Sequence, residues 1–132
     1  MIKVTAKDAL RAEQLTPGWR VGICTGHTPK VAGTDGSKLD VFGIEVEENG
    51  RMFPLKDYQI SEKAVSMGKA FFIACGLPKE EWDKLVKGEE TSVEIDERNC
   101  VGKKFKVYVK NTTYEGRINN EAGDFLPLGA SS

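Results

Sequence analysis

"GKKFKVYVKN", Gly102 to Asn111, defines one strand and both of its faces. With the two-residue period of a strand, Phe105, Val107 and Val109 point to one side, and Lys104, Lys106, Tyr108 and Lys110 to the other. The first side is core; the second is basic, with an aromatic ring in it. Downstream, a last strand is predicted from about Tyr114 through Ile118, ending near Leu126. Upstream, after the Thr16-Pro17-Gly18 turn, Trp19, Val21 and Ile23 alternate with Arg20, Gly22 and Cys24, a first strand reaching about Gly26. A loop from His27 to Lys38, with its glycine and proline breakers, leads into a second strand from Leu39 to Glu47. There Phe42, Ile44 and Val46 alternate with polar or small neighbours, and Gly43 permits a bulge. Asn49-Gly50 favours a tight hairpin because both central residues must take positive φ, which places a third strand near Arg51 to Leu55.

Helical periodicity falls between these strands and the opening stretch. From Ser61, the residues Ala64, Val65, Met67, Phe71, Phe72 and Cys75 recur at three- and four-residue steps, and Gly76 supplies a left-handed stop. This stripe, Phe71 and Phe72 above all, is expected to plug one end of the sheet. Pro78 opens a second, short helix with Trp82, Leu85 and Val86 on one face, acids on the other and Gly88 at its end. Thr5 to Ala12 reads as a further short helix, with Thr5 as N-cap and Asp8 three residues on. The order suits a mainly β fold with α: an OB-like small antiparallel barrel, its main helix and short acidic helix between the third and fourth strands. The 132 residues fit a single domain, 1–132, with 127–132 as a flexible C-terminus.

Formal charge is only −1, so whole-molecule charge does not mark a nucleic-acid binder, but its distribution is uneven. Leu77 to Glu97 carries eight acids against three lysines, whereas Arg98 to Arg117 carries six basic residues against Glu115 alone. Such a reversal steers charged partners toward one face, and the acidic stretch is expected to lie away from that face. Cys24, Cys75 and Cys100, odd in number and far apart, match neither a disulfide framework nor a CxxC metal knuckle, and a reducing cytoplasm is the expected compartment. No segment reads as a signal peptide or as a membrane span of roughly 20 apolar residues.

Enzyme signatures are sparse. His27 is the sole histidine, and no GxxxxGK[ST] or GxGxxG loop occurs to cradle phosphates. The acids around Glu80 and Glu94 follow helix and strand surfaces rather than an acid-base or metal motif. No catalysis, cofactor or metal is expected. Binding of a single-stranded nucleic acid needs cations that follow phosphates and rings on which unpaired bases stack, and the outward face of 104–110 has both. Tyr108 and Tyr114 are the candidate rings, with Trp19 and Tyr58 read as core or rim packing.

The run "GKAFFIACGLP", then "CVGKKFKVYVKNTTYEGRINN" and a closing "DFLPL", resembles a family of short bacteriophage proteins of the replication and recombination gene cluster. These are regarded as single-stranded-DNA-binding proteins with an OB-like barrel. The matching positions are Val101, Gly102 and Lys103, then Tyr114, Gly116, Arg117 and Asn119, and the likeness covers roughly the carboxy-terminal half. It implies largely sequence-independent binding of single-stranded DNA in phage replication or recombination, in the host cytoplasm, alongside proteins of those processes. Phosphates would meet Lys103, Lys104, Lys106, Lys110 and Arg117, and bases Tyr108 and Tyr114. RNA is equally compatible with lysines and rings, and an exposed strand edge offers a homodimer. Many bacterial single-strand binders end in an acidic tail, whereas "GDFLPLGASS" has one acid. Two rival readings stand beside this one: a protein-binding OB-like module, such as a phage assembly or regulatory factor, and a divalent-ion-dependent nuclease accessory.

Overall fold

The computed structural model describes residues 1–130. Its centre is an antiparallel sheet of six strands: β1 (Gly18–Val31), β2 (Lys38–Glu48), β3 (Arg51–Pro54), β4 (Tyr58–Ser61), β5 (Lys104–Tyr114) and β6 (Arg117–Pro127). Hydrogen-bonded neighbours run β3-β2-β1-β5-β6, and β4 also pairs with β2. Three short helices accompany them: α1 (Ala6–Arg11), α2 (Lys69–Ala74) and α3 (Lys79–Lys87). No helix among the described residues is long and apolar enough to cross a membrane.

The expected closed barrel is corrected to an open sheet: among the described residues β4 and β6 form no ladder. The strand expected near Arg51 to Leu55 is β3, and the edge is carried on by a further short strand, β4, after a break at which Lys56 turns its N–H away from β2 to Asn120 O. A broken edge cannot offer β6 a continuous row of partners. The seam is bridged instead by Lys56 N–H to Asn120 O (2.8 Å), by the Lys56–Glu121 ion pair (3.2 Å) and by Tyr58 packed edge-on against Phe125 (4.9 Å between ring centres).

Phe105, Val107 and Val109 are fully buried, as their alternation requires, and face Cys24, Phe42, Ile44 and Val46 across the core. Phe71 from α2 is the hub. Its ring meets Phe42, Tyr58, Phe72, Phe105 and Phe125 at 4.7–6.3 Å between centres. Of the predicted helical stripe, Phe71, Phe72 and Cys75 are buried, but Val65 and Met67 are exposed. The cause is local. Ser61 caps as expected, yet Glu62–Gly68 winds as a 3₁₀ turn kinked at Ala64 (φ −142°, ψ 43°), which takes Val65 and Met67 out of phase with α2. Gly68 lets the chain pass closely, since a Cβ there would sit 2.9 Å from Ile60 Cδ1 and the Phe72 ring.

Half of the loop predicted for His27 to Lys38 is strand, because β1 continues to Val31, where it pairs with Lys38 at the start of β2, and only 32–37 form the turn. A bulge at Thr25 bends it, and Gly43 opposite leaves room for the Thr25 hydroxyl. At the hairpin tip, Asp35 accepts from Lys63 Nζ (2.5 Å) and from Ser37 Oγ (2.6 Å), which hold its carboxyl down to about 2. α1 carries the expected Thr5–Asp8 capping box. The segment after it is stapled to the sheet by two asparagines. Asn120 Oδ1 accepts from Leu15 N (3.0 Å) and Asn111 Nδ2 (3.0 Å), Asn120 Nδ2 donates to Glu13 O (2.7 Å), and Asn111 Nδ2 donates to Leu15 O (3.0 Å). Of the predicted flexible terminus 127–132, Ala130 N–H closes a turn onto Pro127 O, and residues 131 and 132 lie outside the described residues.

Candidate nucleic-acid interface

β5 is positioned by pairing on both sides, with β1 from Ile23↔Lys104 to Gly18↔Val109 and with β6 along its length. With the odd-numbered side chains in the core, Lys104, Lys106, Tyr108 and Lys110 stand on the outer face, about 7 Å from one to the next at the rise of a strand. The same parity carries the row to Tyr114 at the hairpin tip, about 34 Å from Lys104. Arg117 stands directly opposite Tyr114 across the Glu115-Gly116 turn, both exposed.

Trp19, read as core or rim packing, is half-buried and lies outside the core. It is paired in register with Tyr108, and the two rings meet edge to face at 5.5 Å between centres and 76°. It stands on the outer face because the inward positions of this part of β1 are Arg20, Gly22 and Cys24. A Cβ on Gly22 would lie 2.6 Å from Val107 Cγ2, so the core here has space for glycine only. Val21, 41% exposed and opposite Lys106, shares the outer face with Trp19. Arg20, at the inward end, is held by Glu48 (Nε to Oε2, 2.6 Å) and by Thr16 O (2.8 Å). Tyr58 does pack on the core, against Phe71 and Phe125.

The seven predicted residues do not all fall together. Lys104, Lys106, Tyr108, Lys110 and Tyr114 share the strip, and Arg117 joins them at the tip. Lys103 does not; it lines a cavity beside Glu94 and Asp96, two residues of the acidic stretch expected to lie apart from the basic face. Lys106 Nζ is engaged with the carbonyl of Ala130, and the stem of Lys110 lies over Gly123 on β6, 3.1 Å from where a Cβ would be. Acids border the strip directly on the β6 side and, beyond Trp19, Val21 and Ile23 of β1, on β2. Asp124 is across from Tyr108, Glu121 (tied to Lys56) is across from Lys110, and Glu45 on β2 is across from Ile23. The cationic ground is therefore one strand wide.

A further cation, not singled out in the sequence, lies near the tip. Arg11 of α1 and Arg117 line one groove of about 500 Å³ with Gln14, Ile118 and Asn119. Only the docking of α1 beside the β5–β6 hairpin brings them together, and no sequence signal pairs them.

Comparison of the chain with protein-family models and with curated proteins finds no match.

Proposed function

We propose that the chain binds single-stranded nucleic acid along the outer face of β5, without catalysis and with little dependence on base sequence. One observation carries the reading: three lysines and two rings share a single row from Lys104 to Tyr114, and Trp19 is set against Tyr108 at its middle. Lysines neutralise phosphates and release counterions, whereas the rings offer flat faces to unpaired bases, each stacked base contributing about 1–3 kcal/mol. A basic strip one strand wide, bordered by Trp19, Val21 and Ile23 on one side and acids of β6 on the other, favours one phosphate chain over two, so a single strand is the better ligand than a duplex. The resemblance of the carboxy-terminal half to phage single-strand binders supports DNA as the ligand and replication or recombination, in a host cytoplasm, as the setting. The strand order, with β1 between β2 and β5 and the helices preceding β5, supports an OB-like sheet left open at its seam.

The test uses Trp19 as the reporter. In a Trp82→Phe background, Trp19 is the sole tryptophan, and titration with oligo-thymidine at low salt is expected to quench its fluorescence saturably. Absence of quenching together with absence of binding to a labelled oligonucleotide refutes the proposal. Binding without quenching moves the site away from β5.

A further inference from the structure

The fold gathers three cysteines that the sequence leaves far apart. Cys24 lies in β1, Cys75 caps the C-terminus of α2, and Cys100 caps the 3₁₀ turn Glu97–Asn99; all three are free and buried. The main chain of Cys24 clamps the turn that enters β5, its carbonyl accepting from Gly102 N (2.8 Å) and its N–H donating to Lys103 O (3.1 Å). Its thiol points to Gly26 O at 3.6 Å, with no exposed surface, and burial pushes it up to about 11.

Cys75 and Cys100 are placed differently. Both line one solvent-open cavity of about 320 Å³, together with Leu77, Pro78, Asn99 and Lys103. Among the described residues no three His, Cys, Asp or Glu side chains are placed to hold a metal ion, so the pair is a dithiol rather than a ligand set. Both belong to one buried cluster. The Cys75 thiol draws Cys100 below its ordinary value, against burial and the nearby carboxylates of Glu97 and Asp96, which outweigh the small lowering influence of the Lys103 ammonium, while Cys100 and burial hold Cys75 up. Cys100 is thus the thiol that ionises first, drawn down by its partner thiol at the wall of an open cavity, and a lowered thiol is the more reactive one.

We propose that Cys75 and Cys100 form an oxidisable pair that hydrogen peroxide converts into an intramolecular disulfide. The Cys100 thiolate attacks a peroxide oxygen and the O–O bond breaks. Sulfur becomes a sulfenic acid, and the departing hydroxide takes a proton to leave as water. Cys75 sulfur then attacks Cys100 sulfur; the S–S bond forms, the S–O bond breaks, and the hydroxide leaves as water with the Cys75 proton. Two thiols are oxidised by two electrons in all and one peroxide is reduced to two waters. The link would fasten the end of α2 to the turn entering β5 and close a loop over residues 76–99, which restricts the unfolded chain. This inference is independent of the nucleic-acid reading.

The test is peptide mapping of the whole native chain, treated with one equivalent of hydrogen peroxide, then unfolded and alkylated. A Cys75–Cys100 cross-linked peptide with Cys24 alkylated is expected, along with an upward shift of the melting midpoint that dithiothreitol reverses. Full alkylation of all three thiols, a link through Cys24 or a link between two chains overturns the proposal. The mapping needs no cysteine variant, so a substitution that fails to fold cannot obscure it. A Cys24→Ala chain that folds is expected to give the same cross-link.

Discussion

Replacing Asn120 by alanine is expected to loosen the amino-terminal segment from the sheet. Its side chain is 5% exposed and makes three hydrogen bonds, accepting from Leu15 N and Asn111 Nδ2 and donating to Glu13 O. Each such bond contributes about 1 kcal/mol net, and a buried N–H left without a partner costs about 1–3 kcal/mol. Water entering the space recovers part of this, so the expected loss is about 3 kcal/mol, a large share of the stability of a domain this size. At a urea dependence of about 2 kcal/mol per molar, the unfolding midpoint falls by about 1.5 M. Urea titrations followed by far-ultraviolet circular dichroism measure this for Asn120→Ala, Asn111→Ala and the double variant. Because the two side chains share a bond and a segment, the double variant is expected to lose less than the sum of the singles, with a coupling above about 0.5 kcal/mol. A loss under about 1 kcal/mol for Asn120→Ala, or strict additivity, refutes the staple.

Phe71→Ala removes the ring against which five other aromatics pack, and calorimetry is expected to find about 3–5 kcal/mol lost; a melt within a degree of the parent contradicts its place as hub. Burial raises the Cys24 thiol from its ordinary 9.0 to about 11, so it ionises more readily in the unfolded chain. Stability therefore holds below pH 9 and falls from about pH 9 to 11, and Cys24→Ala is expected to flatten that decline in urea titrations over this range.

Where local chemistry decides conformation, the sequence was legible. The alternation of 104–110 gave both faces of β5, Asn49-Gly50 adopts its double positive φ (52° and 77°), and Gly76 and Gly88 end their helices as read. Thr5 and Asp8 form the capping box they suggested. Where a neighbour decides, it was not. Pro29 marked a loop, yet β1 continues through it because β5 pairs with β1 only up to Ile23, leaving the far half of β1 an edge on that side. The alternation of Trp19, Val21 and Ile23 with Arg20, Gly22 and Cys24 did not say which set faces inward, and Val107 packed on Gly22 decides it. The convergence of the three cysteines, and of Glu13 and Leu15 on two asparagines about a hundred residues away, depends on tertiary contacts that no local pattern encodes. Of the candidate interface, the β5 row was legible, while Trp19, Arg11 and the separation of Lys103 from the row came only with the fold.

The most direct measurement of the central claim is the salt dependence of oligo-thymidine affinity for three proteins: parent, Lys104→Ala and Tyr108→Ala. The parent is expected to weaken steadily with salt, and Lys104→Ala to flatten the log-log slope by about 0.7, one lost single-strand phosphate contact. Tyr108→Ala is expected to cost about 1–3 kcal/mol at every salt concentration with the slope unchanged, because a stacked base releases no counterions. Two variants that bind as the parent does, with its slope, would contradict the claim and leave the β5 row an ordinary solvated face.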